Sequence, residues 1–142
     1  MEFADILINE RVEKRKNAEG EDCWIDDVNF QVVPDEELLG EWQSVAFVSD
    51  LAEFDSQKID SNLSLKKIKV VDNDNILVMN DDEYVPSCFK YTKNVFIDTM
   101  GLVASRYVIK NINDVLHLMF EWKSGDYIVR GTKASYYVMR KV

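Results

Sequence analysis

From Glu41 onward, stretches of alternating apolar and polar residues succeed one another with few residues between most of them. Connections that short allow only antiparallel pairing, because a parallel crossover takes a dozen residues or more. The alternation predicts strands over residues 42–48, 63–71, 76–79, 88–92, 95–98, 104–112, 115–123, 126–130 and 135–141, with residues 49–62 as a polar connection. The chain therefore reads as all-β, an antiparallel up-and-down barrel of about eight or nine short strands.

Ahead of the strands, Phe3, Ile6, Leu7 and Val12 recur at helical spacing through residues 2–17, and Gly20 follows as a stop. Residues 1–33 thus read as an acidic N-terminal helix or arm, and residues 34–142 as the barrel domain. Val28, Phe30 and Val32 alternate with polar neighbours and predict a short strand. Pro34 and the acidic Asp35, Glu36 and Glu37 suit the start of one helical turn, where a missing amide costs nothing and negative charge meets the positive end of the dipole.

Two turns set the register of the C-terminal half. Asn113-Asp114 as a two-residue loop pairs Ile109 with Leu118, Tyr107 with Phe120 and Arg106 with Glu121. Ser124-Gly125 treated the same way pairs Lys123 with Asp126, Trp122 with Tyr127 and Phe120 with Val129. Both hairpins place Tyr107, Leu118, Phe120, Trp122 and Tyr127 on one apolar, inward face. The outer face then carries Arg106 opposite Glu121 with Arg130 diagonal to it, pairs that penalise a slipped register more than they stabilise.

With those residues placed, Leu39-Gly40-Glu41-Trp42 is similar to the Gly-x-Trp signature that opens lipocalins and other calycins. The segment Ala104-Ser105-Arg106-Tyr107-Val108-Ile109-Lys110, with residues 120–127, Arg130-Gly131, Lys133 and Tyr136-Tyr137-Val138, resembles a bacterial lipocalin-like domain. Such domains occur alone or appended to membrane metallopeptidases of the beta-lactam-sensor type, and share a Glu-Trp-Lys-Ser-Gly-Asp-Tyr run. The resemblance spans roughly residues 34–142. It implies a calycin barrel able to hold a small apolar molecule, with Trp42 near the closed end under an arginine of the last strand, for which Arg140 is the candidate. No peptidase zinc motif accompanies it, so no proteolytic activity is implied. Lys93-Asn94 stands where such domains often carry Lys-Gly, and Asn tolerates the same left-handed turn.

Nothing in the sequence assembles a catalytic set. His117, the only histidine, alternates with Met119 and Glu121 on the outward face, across from Lys110. Ser124 lacks the Gly-x-Ser-x-Gly elbow. Asp72-Asn73-Asp74-Asn75 lacks the glycine and distant glutamate of a calcium loop and reads as a turn. Cys23 and Cys88 are far apart and read as reduced thiols. The expectation is a protein that is not an enzyme and uses no cofactor and no metal.

Residues 1–62 carry 17 acidic and 5 basic side chains, a front that repels phosphate backbones and argues against nucleic acid as a partner. No apolar run approaches the ~20 residues that cross a bilayer, and Met1-Glu2-Phe3-Ala4-Asp5 does not open like a signal peptide, so a cytoplasmic location without membrane insertion is expected. Two functions fit. One is a binding module holding a small apolar or amphipathic molecule against Tyr107, Leu118, Phe120, Trp122 and Tyr127, provided those rings leave a pocket rather than fill it. The other is a protein-interaction or regulatory module that uses the barrel as scaffold and the acidic arm as contact surface for a protein partner.

Overall fold

A computed structural model of the chain describes residues 11–16, 18–123 and 125–142. Two strands, β1 (Arg11–Lys16) and β2 (Asp22–Asp26), form a hairpin of their own. The other nine build one antiparallel sheet: β3 (Gly40–Val48), β4 (Lys67–Asp72), β5 (Asn75–Met79), β6 (Val85–Pro86), β7 (Phe89–Thr92), β8 (Val95–Asp98), β9 (Val103–Ile112), β10 (Val115–Trp122) and β11 (Ser135–Lys141). Their spatial order is β6-β5-β4-β3-β11-β10-β9-β8-β7. Apart from β6 and β7, each strand neighbours its sequence neighbours, and β3 also pairs with β11, so the sheet curls into a half-barrel with a seam between β6 and β7.

The seam has local causes. β6 is two residues long and ends in Pro86, which has no amide to extend a ladder. Ser87 then turns away, its amide and its hydroxyl both donating to the Ile76 carbonyl (3.2 and 2.6 Å). β7 instead meets the β4–β5 turn, where the Tyr91 amide donates to the Asn73 carbonyl (2.9 Å) and the Asn73 side-chain amide donates back to the Tyr91 carbonyl (3.0 Å).

The β9–β10 hairpin has the predicted register, with Ile109 opposite Leu118 and Tyr107 opposite Phe120. Asn113 and Asp114 both take positive φ (52° and 66°), the backbone of a turn whose twist matches the strands. In the β7–β8 turn Asn94 alone takes positive φ (76°), the left-handed conformation that Asn tolerates.

Three predicted elements differ. Residues 126–130 are not a strand: a short helix, α1 (Gly125–Arg130), replaces it, and β10 pairs with β11 instead, Trp122 facing Ser135. The local β pattern is overridden by tertiary contacts, since the Tyr127 hydroxyl donates to Asp26 (2.8 Å) and its carbonyl accepts from Arg11 (3.0 Å) and Gly131 (3.0 Å). Residues 28–32 form no strand; Val28 and Phe30 lie over Val95, Ile97 and Ala104, while Thr92 accepts from the Val33 amide and donates to the Gln31 carbonyl. The predicted N-terminal helix lies outside the described residues up to residue 10, and Arg11–Lys16 beyond it is strand.

Trp42, Ile68, Tyr107, Leu118, Phe120, Tyr137 and Met139 share the concave face, in a core where each fully buried large side chain contributes roughly 1.5–3 kcal/mol. The convex face is covered too: Val45, Ala46, Val108, Met119 and Val138 lie under Leu51 and Phe54 of the connection between β3 and β4. A 3-10 turn, Glu36–Leu38, stoppers one end, capped by the Asp35 carboxylate, which accepts from the Glu37 amide. Its Leu38 is wholly buried, and the Leu38 carbonyl accepts from the Trp42 indole (2.9 Å).

Candidate functional site

The concave face is not filled. A partly enclosed cavity of about 530 Å3 lies within the half-barrel. Leu65, Ile68, Ile76 and Val78 form one wall; Phe89, Phe96, Phe120 and Trp122 form the other, and Ile128 of α1 reaches it as well. A pocket of that size and apolar lining falls in the range used for small-molecule sites.

Polar groups gather where β9 and β10 part. Their ladder stops at Tyr107–Phe120, and the Arg106 amide beyond it donates to the Glu121 carboxylate (2.8 Å) instead of to backbone. The Arg106 guanidinium grips the same carboxylate through Nε (3.0 Å) and Nη2 (2.8 Å), the cross-strand pair expected from the register. That pairing raises the Arg106 pKa above its ordinary value. Glu121 nonetheless borders the cavity, together with Lys123, Asp98, Ser105 and Asn80.

The predicted hairpin register of Lys123 opposite Asp126 is not formed, because residues 125–130 are helical. The Lys123 ammonium lies 2.9 Å from the Asp26 carboxylate and also donates to the Ala104 carbonyl, with both side chains almost wholly buried. Asp26 further accepts from the Ala104 amide (2.9 Å) and the Tyr127 hydroxyl. The N-terminal hairpin is thereby locked to β9, β10 and α1 through one carboxylate. Tyr127 sits between two cations, with Arg11 3.7 Å and Lys123 4.6 Å from its ring centre.

Of the five residues predicted to line a pocket, Phe120 and Trp122 border the cavity. Leu118 and Tyr107 are on the concave face but buried within the core beneath it. Tyr107 is held there by a 2.6 Å bond from its hydroxyl to Asp35, and burial, then that carboxylate, push its pKa far up. Tyr127 belongs to the Asp26 cluster, because residues 125–130 are helical.

First and last strands of the sheet do pair, with Trp42 opposite Lys141 and Gln43 opposite Arg140. The cation over Trp42 is Lys141, 4.6 Å from the ring, not Arg140. Alternation along β11 puts Arg140 on the convex face, where its Nε donates to His117 Nε2 (3.0 Å) and its Nη2 to the Ser56 carbonyl (2.7 Å). Lys141 crosses directly over Gly40 to donate to the Leu39 carbonyl, and a Cβ on Gly40 would lie 2.8 Å from its Nζ. Gly40 also has φ of 111°, and it is this backbone conformation that requires the glycine of the Gly-x-Trp run, since the flexible end of Lys141 could shift aside.

His117 faces outward as predicted but is only 1% exposed, roofed by Phe54. Its Nδ1 lies 2.8 Å from the Val115 carbonyl, and with Nε2 accepting from Arg140 the ring is the neutral Nδ1–H tautomer. Burial holds its pKa below the ordinary value. Both ring nitrogens are engaged, and the ring is on the face opposite the cavity. Among the described residues no group of three or more His, Cys, Asp or Glu side chains gathers at metal-binding spacing, and no helix is long and apolar enough to cross a membrane.

The sequence reading missed Asp26, Asp98 and Ser105. Asp98 ends β8, where its carboxylate accepts from the amides of Met100 and Gly101 (3.0 and 2.9 Å); the Asp-x-x-Gly spacing was the available signal. Comparison with protein-family models, with curated proteins and with solved structures finds no match for this chain.

Proposed function

We propose that this chain is a non-enzymatic, lipocalin-like binding module that holds a small apolar or amphipathic molecule in the half-barrel. The cavity of about 530 Å3, walled by Ile68, Ile76, Phe96, Phe120 and Trp122, carries this reading. Leaving such apolar surface facing water is costly, and a ligand's own apolar area would offset that at ~25 cal/mol per Å2. Protein purified without detergent and examined by native mass spectrometry should retain a small-molecule adduct. If it is bare, titration with the uncharged dye N-phenyl-1-naphthylamine should give saturable fluorescence enhancement at one site. A bare chain that also leaves the dye unchanged rejects the proposal.

A further inference from the structure

The charges around the cavity do not balance, and the imbalance has a sign. Glu121 borders the cavity, but both of its oxygens are taken by Arg106 at 2.8–3.0 Å. Lys123, the one cation among the described lining residues, is committed to Asp26 and to the Ala104 carbonyl and is buried with them. Asp98 is different. Its carboxylate is fixed by the Met100 and Gly101 amides, both on Oδ1, and it also engages the neutral Cys88 thiol, adding to burial in raising that thiol's pKa, but among the described residues no ammonium or guanidinium lies within ion-pair distance of it. The two compensated pairs cancel, and one negative charge is left on the wall.

A carboxylate head entering this cavity would lose its hydration, meet Asp98 and find no uncommitted cation. A protonated amine would lose hydration too, but would gain a charge-assisted bond to Asp98 Oδ2. Phe89, Phe96 and Trp122 line the same cavity, and an aromatic ring face there would attract a cation further.

We infer that the cavity takes a cationic amphiphile, an apolar body with one amine head, and that Asp98 is the head-group anchor. The inference rests on the binding-module reading above and sharpens it. Three probes of equal chain length, decylamine, decanol and decanoate, compete below their micelle concentrations against N-phenyl-1-naphthylamine. Decylamine should displace the dye at about tenfold lower concentration than decanol, and decanoate should be the weakest. Asp98→Asn keeps an oxygen for the Met100 and Gly101 amides and removes only the charge. In that variant decylamine should fall to the decanol level while decanol itself is unchanged. Decanoate binding as tightly as decylamine, or an amine preference that survives Asp98→Asn, overturns the anchor but leaves the module reading intact. Failure of all three probes to displace the dye overturns the amine inference; failure of the dye itself to bind overturns both.

Discussion

Asp26 and Lys123 are 97 residues apart in sequence and 2.9 Å apart in space, with side chains only 3% and 6% exposed. A pair so thoroughly desolvated is costly to break from one side, because the surviving charge stays buried without a partner. Asp26→Ala should lower stability by about 3–5 kcal/mol in urea denaturation, with α1 and the N-terminal hairpin losing amide-exchange protection first. Lys123→Met should cost less, since Asp26 keeps the Ala104 amide and the Tyr127 hydroxyl as donors. Equal costs for the two variants would contradict the arrangement.

The neutral His117 gives the fold a direction of pH response. Burial depresses its pKa in the folded state from the 6.5 of an unfolded chain, so folding favours the unprotonated ring. Its contribution is therefore complete above about pH 6.5 and is lost as the pH falls below that toward the folded-state value. His117 is the only histidine, so urea midpoints measured from pH 7.5 to 5.5 should decline in the native chain and flatten in His117→Gln. Parallel declines in both would assign the effect to other groups.

Gly40→Ala places a methyl group 2.8 Å from Lys141 Nζ at a φ of 111°. The backbone alone makes this unfavourable by about 1–2 kcal/mol. Adding Lys141→Ala should relieve the clash but not the strain, so the double variant is expected to lose less than the sum of the two single losses. Thermal denaturation of the four proteins measures that difference.

Val78 is half-buried on the cavity wall opposite Ile68 in the β4–β5 ladder. Val78→Trp should put an indole into the space a ligand would use. Dye affinity should drop about tenfold or more, while the thermal midpoint moves by only a few degrees because the open cavity accepts the extra volume. Unchanged dye binding would place the bound probe elsewhere.

What the sequence made legible follows the range of the interactions involved. The β9–β10 register and the Arg106–Glu121 pair depend on a two-residue turn whose residues, Asn113 and Asp114, advertise their backbone conformation. α1 could not be seen, because Tyr127, Ile128 and Val129 favour strand locally and it is Asp26 and Arg11, from the far end of the chain, that hold Tyr127 in the helix. The choice between Arg140 and Lys141 over Trp42 turned on a bulge in β3, where Val45 is the extra residue between the partners of Val138 and Met139, which no residue type announces. Inward alternation likewise identified Phe120 and Trp122 on the concave face, but the depth separating them from Leu118 and Tyr107 comes from the curl of the whole sheet.

The sheet is broken where the chain is continuous, at Ser87 and Cys88, and continuous where distant segments meet, at β3 and β11. Two meanders, β3 to β6 and β7 to β11, close mostly through short turns, the β3–β4 and β10–β11 connections excepted, but neither encloses anything alone. Joining them requires a loop of about a hundred residues to close, a slow step whose entropy is recovered only when β3 docks on β11. The topology thus predicts that the hollow interior forms only once β3 has docked on β11, with the apolar face of β9 and β10 uncovered until then.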